Sequence, residues 1–167
     1  MRRRQIIRPW AAALAGLALA TVIGLEMRGE APALINETSS LPRGLYLRTQ
    51  TPIQRGSVVA LAQPATARAY LTRLGMPDDI LLLKRVAAVE GDAVCDEGGT
   101  VRTPGRQVLR LDRDRQGAVL PAWSECRLLE RDELFLLGDT PESFDSRYFG
   151  PVRKGEAKGV YQEVLTW

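Results

Sequence analysis

Along most of the chain, apolar residues come in short runs closed by Gly, Pro or Asp, the pattern of strands and turns. The runs Gly44–Leu47, Ser57–Ala62, Ile80–Val89, Val108–Leu111 and Glu133–Leu137 are rich in Val, Leu and aromatic residues and predict an antiparallel, barrel-like sheet. Ala65–Leu74 differs. Its Ala65, Ala69 and Tyr70/Leu71 recur at helical spacing, and Gly75 and Pro77 stop the predicted helix. Residues 96–124 carry scattered Gly and Pro with alternating charge and no period, which predicts a loop-rich hairpin insertion.

The longest apolar stretch stands at the start. Pro9–Leu25 holds seventeen uncharged residues, a length of about 25 Å as helix, the short end of what crosses a hydrocarbon core. Ile6 and Ile7 extend its apolar face, with Arg8 snorkelling and Trp10 suited to the interface. Arg2, Arg3, Arg4 and Arg8 precede it, so the positive-inside rule puts the N-terminus in the cytoplasm. The resulting organisation is a cytoplasmic basic segment (1–8), a transmembrane anchor (9–26) in the inner membrane and a periplasmic domain (33–167). A cleaved signal peptide ending near Ala31-Pro32-Ala33 is the rival reading, and a buried helix the third. The anchor is favoured because the apolar run exceeds an ordinary signal-peptide core.

Charge then narrows the partners. The net charge is +3, but without those four arginines 19 basic groups face 20 acidic ones. The body is not basic. No later Lys/Arg run with interleaved aromatics supports a nucleic-acid partner.

The chain contains no histidine, which excludes Ser-His-Asp and Cys-His catalysis and imidazole metal ligation. No metal or cofactor is implied. A serine nucleophile then needs another base, and a lysine kept neutral by burial is the best available. Of the lysines Lys84, Lys154 and Lys158, only Lys84 follows an aliphatic run, Ile80-Leu81-Leu82-Leu83. Strand alternation puts it on one face with Leu82 and Val86, and Arg85 on the other. An edge-strand lysine that blocks aggregation is the alternative on this segment alone. Cys95 and Cys126 bracket the insertion; in an oxidising compartment a disulfide between them staples it, and two free buried thiols are the alternative.

Three ordered motifs resemble the signal peptidase I-like family of Ser-Lys peptidases, most closely its conjugative-transfer branch, TraF. The branch pattern N-x-T-x-S-x-P-x-G-L-Y is matched by Asn36, Thr38, Ser40, Pro42, Gly44, Leu45 and Tyr46. L-K-R-V followed by G-D is matched by Leu83, Lys84, Arg85, Val86, Gly91 and Asp92. A third pattern, G-D ending in S-F-D-S-R-Y-F-G-P-V, runs from Gly138 to Val152. The general leader peptidases place proline three residues after the nucleophile, which would select Ser39; the TraF pattern, with proline two after, selects Ser40. Glu90 stands where the general family has a proline.

The resemblance implies a mainly β, signal-peptidase-like (LexA-related) antiparallel catalytic domain with one N-terminal transmembrane helix and a short helical insertion. It implies Ser40 as nucleophile and Lys84 as general base, Ser143 hydrogen-bonded to the lysine, and Asp145 with Arg147 buttressing the site. The oxyanion hole would be the Ser40 N–H and the Thr38 hydroxyl. The implied activity is a membrane-anchored serine endopeptidase that removes leader segments of exported proteins and matures, by hydrolysis or cyclisation, the pro-pilin of a conjugation or type IV secretion apparatus. The bilayer and other secretion components would be its partners. A general leader peptidase and an inactive anchored scaffold are the alternatives; a self-cleaving repressor lacks its DNA-binding segment here, and S-x-x-K of penicillin-interacting enzymes is absent.

Overall fold

Two antiparallel sheets carry the architecture. The structure, a computed structural model, describes residues 31–167. The basic segment and the anchor expected at 1–8 and 9–26 lie outside the described residues, among which no helix is long and apolar enough to cross a membrane.

The strands are β1 (Ala33–Asn36), β2 (Gly44–Thr49), β3 (Val58–Leu61), β4 (Leu82–Val89), β5 (Ala93–Glu97), β6 (Thr100–Thr103), β7 (Arg106–Leu109), β8 (Cys126–Leu128), β9 (Glu133–Leu137), β10 (Val152–Arg153) and β11 (Ala157–Thr166). The larger sheet has the order β1-β2-β11-β3-β4-β9-β10, and the smaller one β7-β6-β5-β8. Helix α1 (Ala65–Arg73) fills the β3–β4 connection and α2 (Ser146–Phe149) the β9–β10 connection.

The five predicted strands all exist, with ends shifted; the first β4 residue is Leu82 because Ile80 lies exposed. The sequence reading assigns no strand run to β1, β5, β6, β8, β10 or β11, and of these β11 sits between β2 and β3 in the larger sheet. Only Val160 and Tyr161 of its ten residues are buried, so AKGVYQEVLT has no apolar signature. Its place is decided by backbone pairing to both neighbours. The insertion resolves into the β6–β7 hairpin followed by irregular chain, and β5 pairs with β8 so that Cys95 faces Cys126, where a disulfide joins them. Cross-linking 31 residues of sequence separation should stabilise the fold by about 3–4 kcal/mol on loop-closure grounds. Converting both cysteines to serine should lower the denaturation free energy by that amount; an unchanged urea midpoint contradicts the expectation.

The larger sheet packs on both faces. Leu82, Val86, Leu134 and Leu136 join α1 and α2 residues in one core, whereas Leu83, Val58 and Ala60 pack with Leu41, Tyr46 and Tyr161. A β-bulge between Val86 and Ala88 turns the end of β4 over, so Ala88 joins Phe135, Leu137 and Trp123 in a third core. Lys84, by alternation, shares the face of Leu82 and Val86.

Candidate active site

Residues 37–43 form the loop between β1 and β2, whose register pairs Asn36 with Gly44. Ser40 sits in this loop yet is 8% exposed, and Leu41 beside it is buried in the core with Tyr46 and Leu83. Leu41 therefore anchors the nucleophile candidate by burying its apolar side chain. Two further ties hold the loop: the Tyr46 hydroxyl donates to the Pro42 carbonyl at 2.7 Å, and the Asn36 carboxamide reaches the same oxygen at 2.9 Å. Burial, with Glu163 nearby, pushes the Tyr46 phenol up to about 12, so it stays a donor. Gly44 is obligatory by space: a Cβ there would collide with the Leu165 carbonyl of β11.

The Ser40 hydroxyl lies 3.1 Å from that of Thr38, and its carbonyl accepts the Asp139 N–H at 2.6 Å. The Ser40 N–H has no hydrogen-bond partner among the described residues.

Lys84 is 5% exposed and forms no ion pair among the described residues. Burial lowers its pKa from 10.5 to about 8. Asp145 would raise it and Arg147 lower it, and because these two are paired their effects oppose one another. Desolvation prevails. The edge-strand alternative fails, since β4 is flanked by β3 and β9.

The third motif folds over the first two. Asp145 and Arg147 are fully buried, with Arg147 Nε donating to Asp145 Oδ1 at 2.8 Å and Nη2 to Oδ2 at 2.9 Å. Arg147 also donates to the carbonyls of Leu109, Pro141 and Ser143, at 2.7, 2.9 and 2.8 Å. Asp145 accepts the Gly138 N–H at 2.9 Å. One ion pair thus binds the insertion and both ends of the loop 138–143. Ser143 packs against Gly138 so closely that a Cβ there would overlap its side chain. The Ser143 hydroxyl is buried without a hydrogen-bond partner among the described residues, so the bond to Lys84 expected from the resemblance is not made here. Thr38 likewise differs from the expected open donor, because its hydroxyl is engaged by Asn36 at 2.8 Å and by Ser40.

Ser40, Lys84, Thr38 and Ser143 all line one cavity of about 660 Å³, with apolar walls from Leu34, Ile80–Leu83, the α1 residues Tyr70 and Leu71, and Leu74 just past the end of α1. Sequence reasoning brought those polar residues together but missed Asn36, Leu41 and the Arg85–Asp139 pair as parts of the site. Asp139 accepts from Arg85 Nε and Nη2 at 3.1 and 2.8 Å, which ties the strand of Lys84 to the loop that holds the Ser40 carbonyl. Arg106 of the insertion adds a bond to the Gly138 carbonyl at 2.7 Å. The signal available was the G-D dipeptide at 138–139, read only as motif.

Residues 8–167 match the family described as signal peptidase, peptidase S26. The chain belongs to that signal peptidase family. A plasmid transfer protein TraF of Escherichia coli is 34% identical over 150 residues, covering 82% of this chain and 85% of the relative. A second Escherichia coli plasmid transfer protein TraF is 30% identical over 177 residues, covering 92% and 95%. A probable conjugal transfer protein TraF of Sinorhizobium fredii is 33% identical over 179 residues, covering 99% and 94%. The crystal structure of a signal peptidase I from Enterococcus faecalis V583 is similar with a TM-score of 0.41 at 20% identity, covering 67% of this chain and 98% of that one. As a signal peptidase family member the chain is mainly β and antiparallel, with its serine and lysine motifs on neighbouring walls of one cavity.

Proposed function

We infer that this chain is a serine endopeptidase of the signal peptidase type, with Ser40 as nucleophile and Lys84 as general base. The observation that carries the reading is Lys84: a buried lysine without an ion-pair partner among the described residues, lowered toward neutrality, in the wall of the cavity that holds Ser40. A structural lysine would find a carboxylate. Neutral Lys84 Nζ takes the Ser40 proton as Oγ attacks the scissile carbonyl, and the oxyanion meets the unpaired Ser40 N–H. The ammonium then gives that proton to the leaving amine, and water or a second amine releases the acyl group. The partnerless Ser143 hydroxyl is the group available to steady the lysine as it changes charge. Asp145 and Arg147 hold the loop that carries Ser143.

The substrate fits the walls. Leu34, Ile80, Leu81 and Leu83 offer an apolar surface to small side chains near the cleaved bond. The N-terminal apolar segment anchors the enzyme in the inner membrane, so that a leader leaving the bilayer meets the site in the periplasm. The names of the TraF relatives favour a conjugation role, with a pro-pilin as substrate. The test is cleavage of a pro-pilin by the full chain in lipid, read by product mass, which also separates a linear from a cyclic product. The rate should rise with pH along a limb near 8, because the protonated lysine cannot accept the serine proton. A rate that is flat between pH 6 and about 9 would remove Lys84 as the base.

A further inference from the structure

Asn36, the last residue of β1, is 6% exposed and lines the catalytic cavity. Its carboxamide nitrogen faces three carbonyl oxygens, those of Thr38, Leu41 and Pro42, at 3.0, 3.1 and 2.9 Å. Carbonyls only accept, so this atom must be the NH2 group. The Thr38 N–H approaches the other terminal atom at 3.2 Å, which must then be the carbonyl oxygen. Both ends agree on one orientation of the amide. The Thr38 hydroxyl is 2.8 Å from that oxygen and can only be the donor. A hydroxyl has a single proton. With it given to Asn36, the 3.1 Å contact between Thr38 and Ser40 is filled by the Ser40 proton.

The hydrogen-bond chain therefore has one direction, from Ser40 to Thr38 to Asn36. In the free site Thr38 is an acceptor that holds the nucleophile, and it has no proton to offer an oxyanion. We propose that Asn36 is a positioning residue which, through the Thr38 hydroxyl, fixes the place of Ser40 Oγ until substrate draws the serine proton to Lys84. The proposal rests on Ser40 being the nucleophile. The same amide braces the loop through its two hydrogens, so its acceptor half and its donor half have separable duties.

The experiment is a double-variant cycle on pro-pilin cleavage. Asn36→Leu and Thr38→Val should each lower kcat about 10²-fold with KM within about threefold, and the double variant should be no slower than the slower single variant, because both break one chain of bonds. Costs that multiply, or full kcat in Asn36→Leu, overturn the proposal. Asn36→Asp keeps the acceptor facing Thr38 and gives up the loop-bracing hydrogens. Above the Lys84 limb it should keep kcat within about tenfold of the parent while its thermal midpoint falls. If Asp loses as much rate as Leu, or about 10²-fold where Leu does not fold, bracing alone explains Asn36 and the proposal is lost. An inactive parent chain would instead overturn the peptidase reading on which all of this depends.

Discussion

Replacing Lys84 with methionine is expected to abolish peptide cleavage and, at neutral pH, to stabilise the fold. Methionine keeps an unbranched chain of similar reach and removes the charge. Without a base the serine hydroxyl is a poor nucleophile, and kcat should fall on the order of 10⁴-fold or more, as in serine peptidases that lose a member of the catalytic set. The stability gain follows from linkage. The folded pKa of about 8 lies below the ordinary 10.5, so between those values the unfolded chain binds the extra proton. Stability of the parent therefore rises with pH across that window, and below it the buried ammonium costs about 3 kcal/mol. Lys84→Met escapes that cost: its advantage in urea denaturation should be full below pH 8 and gone above 10.5. Ser40→Ala should match the rate loss without the gain. The double variant should be no slower than either single one, since the pair acts as a unit. A Lys84→Met chain that still cleaves, or gains no stability at pH 7, would count against a neutralised catalytic lysine.

Breaking the Asp145–Arg147 pair should have the largest destabilising effect of any single change. Both groups are fully buried, and removing either leaves an uncompensated charge, a loss of about 3–5 kcal/mol. Arg147→Leu also strips donors from the Leu109, Pro141 and Ser143 carbonyls, so it should be the worse of the two. Adding Asp145→Leu to Arg147→Leu should recover part of the loss but not all, because those carbonyls stay unpaired. Activity gives a second readout. In Arg147→Leu an unneutralised Asp145 would favour the lysine ammonium, and the limb of the pH–rate profile should move upward. Chemical denaturation and pH–rate profiles check both halves. Equal stability of Arg147→Leu and the parent would show that the pair is dispensable.

Much of the site was legible because its chemistry leaves few choices. With histidine absent, Lys84 stood out through the aliphatic run before it, and the structure finds it buried on the face shared with Leu82 and Val86. Strands β3, β4 and β9 were legible as apolar runs, because none of their residues is exposed. Strand β11 was not, because eight of its ten residues keep contact with solvent to some degree and its position depends on hydrogen bonds that any side chain permits. The support around the nucleophile was also hidden. Asn36, Arg85, Asp139 and Arg106 act on backbone carbonyls, on one another or on Thr38, and such pairings depend on which loops meet.

By itself, the sequence determined which chemistry is possible: no imidazole, a serine after a small polar loop, and one lysine in an apolar strand. It also determined five of the eleven strands, since apolar runs bounded by turn residues are written in residue type. Tertiary structure alone decided that Lys84 forms no ion pair among the described residues, that Arg147 opposes the effect of Asp145 on it, and that Asn36 takes the Thr38 proton. The physical reason is common to all of them. A pKa or a hydrogen-bond direction belongs to a surrounding of groups far apart in the chain, and folding is what assembles it.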